Sequence, residues 1–152
     1  MNISNCLVVF SLAERQLALP LSAVERIVHA VEVSPVPQAP AIVLGVINFQ
    51  GQIIPVLDVR ERFRLPRREM DLNDRLIIAH TATRTVALVA EAVGGMVEYT
   101  ENDMVAADRI LPGLQYVQGV VKHDGELILI CDLDRLLHQD EETTLNEIMI
   151  RP

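Results

Sequence analysis

The chain has 152 residues, a formal net charge of −8 and 50% hydrophobic residues, with no tryptophan and only 3% aromatics. That acidity argues against nucleic acid as a partner, because phosphates call for clustered Lys and Arg. The mean hydropathy of +0.27 is high for a chain with 22% charged residues. The core must therefore be aliphatic, or apolar surface must be kept for a partner. No apolar run reaches the length that crosses a bilayer, so direct membrane insertion is not expected.

The opening stretch CLVVFSLA lacks a basic flank and reads as a first strand, not a signal peptide. Segments 7–12 and 16–21 pair as strands around the polar turn Ala13-Glu14-Arg15. Leu21 to Val28 reads as a turn running into a strand. Pro35, Pro37 and Pro40 then space an extended connector, and 41–44 is expected to make one helical turn behind Pro40. Next comes GVINFQGQIIPVLDVRERF, residues 45–63. Gln50-Gly51 is its tight turn, and the nearly continuous apolar run after it predicts a strand buried on both faces. Pro55 cannot donate to a ladder, so its strand should be an edge there or carry a bulge.

Residues 64–74 form a polar loop, and 75–80 with 85–93 make a second strand pair. ALVAEAV (87–93) echoes LALPLSAV (17–24), with Val93 falling on Val24. Gly94-Gly95 is expected to break the strand, 96–100 to continue it, and 102–114 to be a loop. Then GVVKHDGELILICDLDRLL, residues 119–137, repeats the earlier segment at a constant offset of 74. Five of the nineteen positions are identical and six more pair one apolar residue with another. Four of the chain's seven glycines fall in matched positions, so chance is a poor account. Asp124-Gly125 is the second hairpin turn, and Gly51 and Gly125 should both take positive φ. Two copies point to two similarly built halves and a seam between them. The acidic tail, 139–152, places Leu145, Ile148 and Met149 at helical spacing and is either a short docking helix or frayed chain.

Chemistry is sparse. His29, His80, His123 and His138 are scattered, without metal-ligand spacing, and no phosphate-cradling or nucleophile motif is present. Cys6 and Cys131 lie in apolar strands and read as buried reduced thiols. Asp132 and Asp134 make a DxD, but Asp132 matches Asp58 in the repeat, and helix capping explains both copies. Arg60, Arg62, Arg64, Arg67 and Arg68 read as a solvated loop or as a site for an acidic partner. No catalytic residue, metal ligand or cofactor is expected. A binding module is favoured over a small β-barrel enzyme or ligand-binding regulator that would use the seam as its pocket.

The run PxxPxxxxGVINxxGxIIPVxDVRxxF (37–63), with ALPLSAVERI, ALVAEAV and the closing GVVxxDGELILICDLDRLL, resembles the bacterial CheW chemotaxis coupling family over about residues 7–138. The resemblance implies an all-β protein with short helices, built as two SH3-like five-stranded barrels within one CheW-like domain spanning 1–152. The halves are expected at about 15–75 and 76–138, with strand 7–12 added to the second. It also implies a cytoplasmic, non-catalytic adaptor in two-component signal transduction, binding the regulatory domain of a CheA-type histidine kinase and the cytoplasmic tip of chemoreceptors. It resembles the free adaptor, not the kinase or a CheV-like fusion. A CheW-like scaffold for surface sensing or twitching motility is the alternative pathway.

Expected partner-binding residues are Val24, Arg26, Ile27, Gly45, Val46, Asn48, Gln50, Gly51, Val86 and Val93, the valines and Ile27 offering an aliphatic seam to a receptor helix. Family members usually carry V-x-E-I and N-x-R-G where this chain has Val24-Glu25-Arg26-Ile27 and Asn48-Phe49-Gln50-Gly51. A Glu and an Arg that attract one another are thus both replaced, which predicts an altered choice of partner.

Overall fold

Both hairpin turns marked by the repeat carry two consecutive left-handed residues: Gln50 (φ 52°) with Gly51 (83°), and Asp124 (51°) with Gly125 (78°). This is the type I′ pattern, whose twist matches that of the flanking antiparallel strands. The computed structural model of the chain describes residues 5–105 and 115–150. Its strands are β1 (Cys6–Leu12), β2 (Arg15–Pro20), β3 (Val24–His29), β4 (Val43–Phe49), β5 (Gln52–Leu57), β6 (Arg75–His80), β7 (Thr85–Ala90), β8 (Ala92–Glu98), β9 (Met104–Val105), β10 (Val117–His123) and β11 (Glu126–Cys131). The α-helices are α1 (Val59–Phe63), α2 (Leu133–Leu136) and α3 (Gln139–Ile150).

The protein is thus mostly β, with two mixed sheets. One is ordered β8-β1-β2-β11-β10-β9 and the other β3-β6-β7-β5-β4. Neighbours are antiparallel except for β2 with β11 and β5 with β7. The first sheet joins β1 and β2 to the second repeat copy; the other joins β6 and β7 to the first copy. Sheet membership therefore cuts across the expected division near residue 75. Strand 7–12 does lie with the second copy, but Arg15–Pro20 lies there too, and Arg75–Ala90 lies with the first copy. The reason is local. Each two-strand hairpin stays intact, and the chain changes sheet just after it, through Leu21–Ala23 and again at Glu91.

The internal symmetry goes deeper than the repeated motif. Phe10 faces Leu17 in one hairpin and Ala79 faces Val86 in the other, each pair 69 residues from its counterpart. At that same offset β3 bulges at Glu25 and β8 at Gly94, so the echo of Val24 in Val93 marks equivalent strand starts. Gly94-Gly95 accordingly does not end a strand; β8 runs through it, because a bulge absorbs the extra residue and Gly95 takes φ 101°. The expected helical turn over 41–44 is also shorter than predicted: Val43 N–H closes onto the Pro40 carbonyl at 2.9 Å and β4 begins at once. Pro55 lies in an interior strand, but just outside its pairing with β7, where β5 has a neighbour on one side only.

Three apolar clusters explain the near-continuous hydrophobic strands. Along β7, Val86, Leu88 and Ala90 point into a core shared by both sheets, with Phe10, Leu17, Leu19, Ile77 and Leu129. Ala87 and Val89 point the other way, into a cluster of the second sheet with Ile47, Ile54 and Ile78. The first sheet has its own cluster, including Leu7, Val9, Ala18, Val121 and Ile130. Each fully buried Leu, Ile or Phe contributes roughly 1.5–3 kcal/mol. Cys131 belongs to the shared core, and burial pushes its thiol up to about 12. Cys6 is buried as well.

The tail is a docked helix. Leu145 of α3 is buried in the shared core, and Met149 packs against it. Among the described residues, no helix is long and apolar enough to cross a membrane.

Candidate partner-binding surface

The residues expected to meet a partner fall into a hairpin group and a seam group. At the first hairpin, Asn48 Oδ1 accepts the Gly51 N–H at 2.9 Å, which fixes the turn and leaves Gln50 exposed at its tip. Val46 is half-buried and faces both Pro55 and Ser34. Gly45 is buried at a bulge, and a Cβ there would lie 2.3 Å from the Ser34 carbonyl oxygen. Gly45 is therefore a builder of the hairpin, while Val46 keeps part of its surface accessible.

Arg26 joins this group by tertiary structure. It is exposed on β3, at one edge of its sheet, while Phe49 is on β4 at the opposite edge. The guanidinium nevertheless lies over the Phe49 ring, 5.9 Å from its centroid. The sheet bends enough to bring its edges together, and the ring face attracts the cation. Arg26 and the turn containing Gln50 are thus neighbours through Phe49, a residue that sequence reasoning missed. Nothing in its spacing marks it, since the contact spans two edge strands.

In the seam group, Val24 and Val93 are half-buried against the shared core, at matched positions on the edge strands β3 and β8. Ile27 is 39% exposed and pairs with Ile77 of that core. Val86 is different. It is fully buried, so it presents nothing to a partner. The seam between the sheets is a packed core whose rim alone is accessible at these positions. Buried aliphatic strands offer no polar convergence of the kind an active site needs.

The arginine-rich segment is only partly a solvated loop: Arg64, Arg67 and Arg68 are exposed, whereas Arg60 and Arg62 are drawn into the fold. Arg60 is buried; it donates to the Glu91 carboxylate and, at 3.0 Å, to the Pro66 carbonyl. Glu91 also accepts the Ala13 N–H at 2.6 Å, joining the first sheet's turn to α1. Arg62 donates to the Leu136 carbonyl at 2.7 Å and to Glu141, holding α3 in place. Arg68 grips Asp74 with two bonds of 2.6 and 3.0 Å. Burial works against the charge on Asp74, but Arg68 and the Asp71 N–H outweigh it and hold the carboxyl below its ordinary range. Arg64 ends α1 in the left-handed conformation. Arg67 lines an open depression of about 360 Å³ with Asp58, Glu61 and Glu69.

The paired aspartates divide their roles. Asp58 caps α1, accepting the Arg60 N–H at 3.1 Å, and burial raises its carboxyl. Asp132 starts α2 without a side-chain cap bond, while Asp134 accepts the Ala82 N–H at 2.7 Å. Among the described residues, no cluster of His, Cys, Asp or Glu is arranged to hold a metal ion. His80 contacts Glu25 at 3.2 Å, and His138 bonds the Tyr116 hydroxyl at 2.7 Å.

A family model described as a CheW-like domain matches residues 7–141. The chemotaxis protein CheW of Thermotoga maritima is 30% identical over 138 residues, covering 91% of this chain and 89% of its own. That of Rhizobium meliloti is 27% identical over 137 residues, with 89% and 88% covered. The crystal structure of scaffolding protein TtCheW from Thermoanaerobacter tengcongensis matches with a TM-score of 0.83 at 29% identity, covering 93% of this chain and 92% of that one.

Proposed function

We propose, because the chain belongs to the CheW-like family, that it is a non-catalytic adaptor coupling chemoreceptors to a CheA-type histidine kinase. The observation that carries this reading is the match to a scaffolding protein over nearly the whole of both chains. Each sheet is read as an SH3-like barrel, bent around its own apolar cluster and sharing the third cluster with its neighbour. Work is done by surfaces. The rim formed by Val24, Ile27 and Val93 takes an amphipathic helix of the receptor's cytoplasmic tip, using aliphatic contacts. The kinase is engaged through its regulatory domain. The adaptor acts in the cytoplasm, where both partners present these parts.

The test is a reconstitution with a soluble receptor-tip fragment and a kinase regulatory domain. The expected result is saturable binding of the chain to each, and capture of kinase by receptor only when the chain is present. Val24→Asp leaves the fold intact and weakens the receptor arm by about 1–3 kcal/mol, because a charge is desolvated at the rim. Absence of binding to both partners would overturn the adaptor reading. Wild-type receptor affinity in Val24→Asp would remove the rim from it.

A further inference from the structure

Arg26 differs from four other arginines of the chain in what its side chain meets. Arg60, Arg62, Arg68 and Arg84 each bond a carboxylate of this chain. Arg26 is exposed, and among the described residues no carboxylate pairs with it, although the chain carries 21 Asp and Glu. Its sequence neighbour Glu25 is engaged with His80 instead. The Arg26 guanidinium lies over the Phe49 ring, whose face attracts the cation without neutralising it. The ring therefore holds the positive charge in place, while no carboxylate among the described residues neutralises it.

The ring does something for that charge. A guanidinium lying over an aromatic surface is fixed in position while its N–H edge stays available. Carboxylates are what such an edge binds best, through paired, charge-assisted hydrogen bonds. Holding it beforehand lowers the ordering cost of that contact. Arg26 follows Val24 and precedes Ile27 on β3, so it borders the rim assigned above to the receptor helix.

We propose that Arg26, stacked on Phe49, is a specificity residue that receives a carboxylate from the helix of the receptor tip. The assignment rests on the adaptor reading and extends it by naming the chemistry of the partner. A helix bearing Asp or Glu at that point is accepted, and one bearing Lys or Arg is turned away by like charge. Gln50, uncharged at the neighbouring turn, adds no competing anion.

The experiment titrates the full chain and its Arg26→Gln and Arg26→Glu variants against a receptor-tip fragment and, separately, a kinase regulatory domain. At low salt, receptor affinity is expected to fall about 3-fold for Arg26→Gln and about 10-fold for Arg26→Glu, with both gaps narrowing at high salt. Kinase affinity and melting temperature should stay at wild-type values. Replacing the fragment's acidic residues one at a time by Lys should find one position that restores binding to Arg26→Glu. Equal receptor affinity for all three proteins at low salt would overturn the proposal, as would a loss confined to the kinase. So would lowered melting temperatures with unchanged affinities, which would make Arg26 a cover for Phe49. If the wild type binds neither partner, the adaptor reading fails first and this assignment falls with it.

Discussion

Matched glycines of the repeat answer to different physical demands. Gly51 and Gly125 take φ of 83° and 78°, yet nothing lies within 4 Å of the place a Cβ would occupy. Alanine at either site strains the backbone alone, at a cost of about 1 kcal/mol. Gly45 meets an obstacle instead, since its Cβ would press on the backbone of Ser34, which bridges to Val46. Its counterpart Gly119 would meet the flexible Met104 side chain. Thermal melts should therefore rank Gly45→Ala as the most damaging, at roughly 3 kcal/mol or more. Gly51→Ala and Gly125→Ala should follow at similar, smaller losses. If the Gly45 variant melts no lower than the two turn variants, close packing against Ser34 is not what that position requires.

The hairpins form from local signals, but α3 is held by distant ones. Glu141 meets Arg62, and Arg84 in the β6–β7 turn donates to Glu142 at 3.0 Å and to Asn146. Leu145 supplies the buried anchor. A twelve-residue helix is marginal by itself, so docking must stabilise it. Truncation after His138 should lower stability by about 1–3 kcal/mol, mostly through loss of the Leu145 contact, and Arg84→Ala by less. Denaturant midpoints measure both. An unshifted midpoint in the truncated chain would mean that the helix rests on the fold without supporting it. The tail's fate was undecidable from its own residues because its partners lie about 60 to 80 positions earlier.

At the level of the whole molecule, each sheet contains strands from both halves of the chain, and the largest cluster draws on both sheets. Neither half has a complete sheet alone. Unfolding in denaturant should accordingly be a single transition, superimposable when followed by circular dichroism and by tyrosine fluorescence. Two separated transitions would show that the sheets fold independently despite the exchange of hairpins. The same architecture makes Val86→Asp unfold the protein, because it places a charge in the shared core. Among the apolar seam residues, Val24, Ile27 and Val93 at the rim suit a binding test, and Val86 does not.

What the sequence determined by itself is what neighbouring residues enforce. Glycine-containing two-residue turns set the two repeated hairpins, the repeated motif marked equivalent bulges and helix starts, and continuous apolar runs required strands buried on both faces. Tertiary structure alone decided which hairpin joined which sheet. A strand apolar on both faces has no polar side to say which core each face will meet. It also decided that Val86 is core, that the arginines at 60, 62 and 68 are internal ties, and that Arg26 reaches Phe49. Those outcomes depend on which distant segments the folded chain brings within contact range, and no local periodicity encodes that.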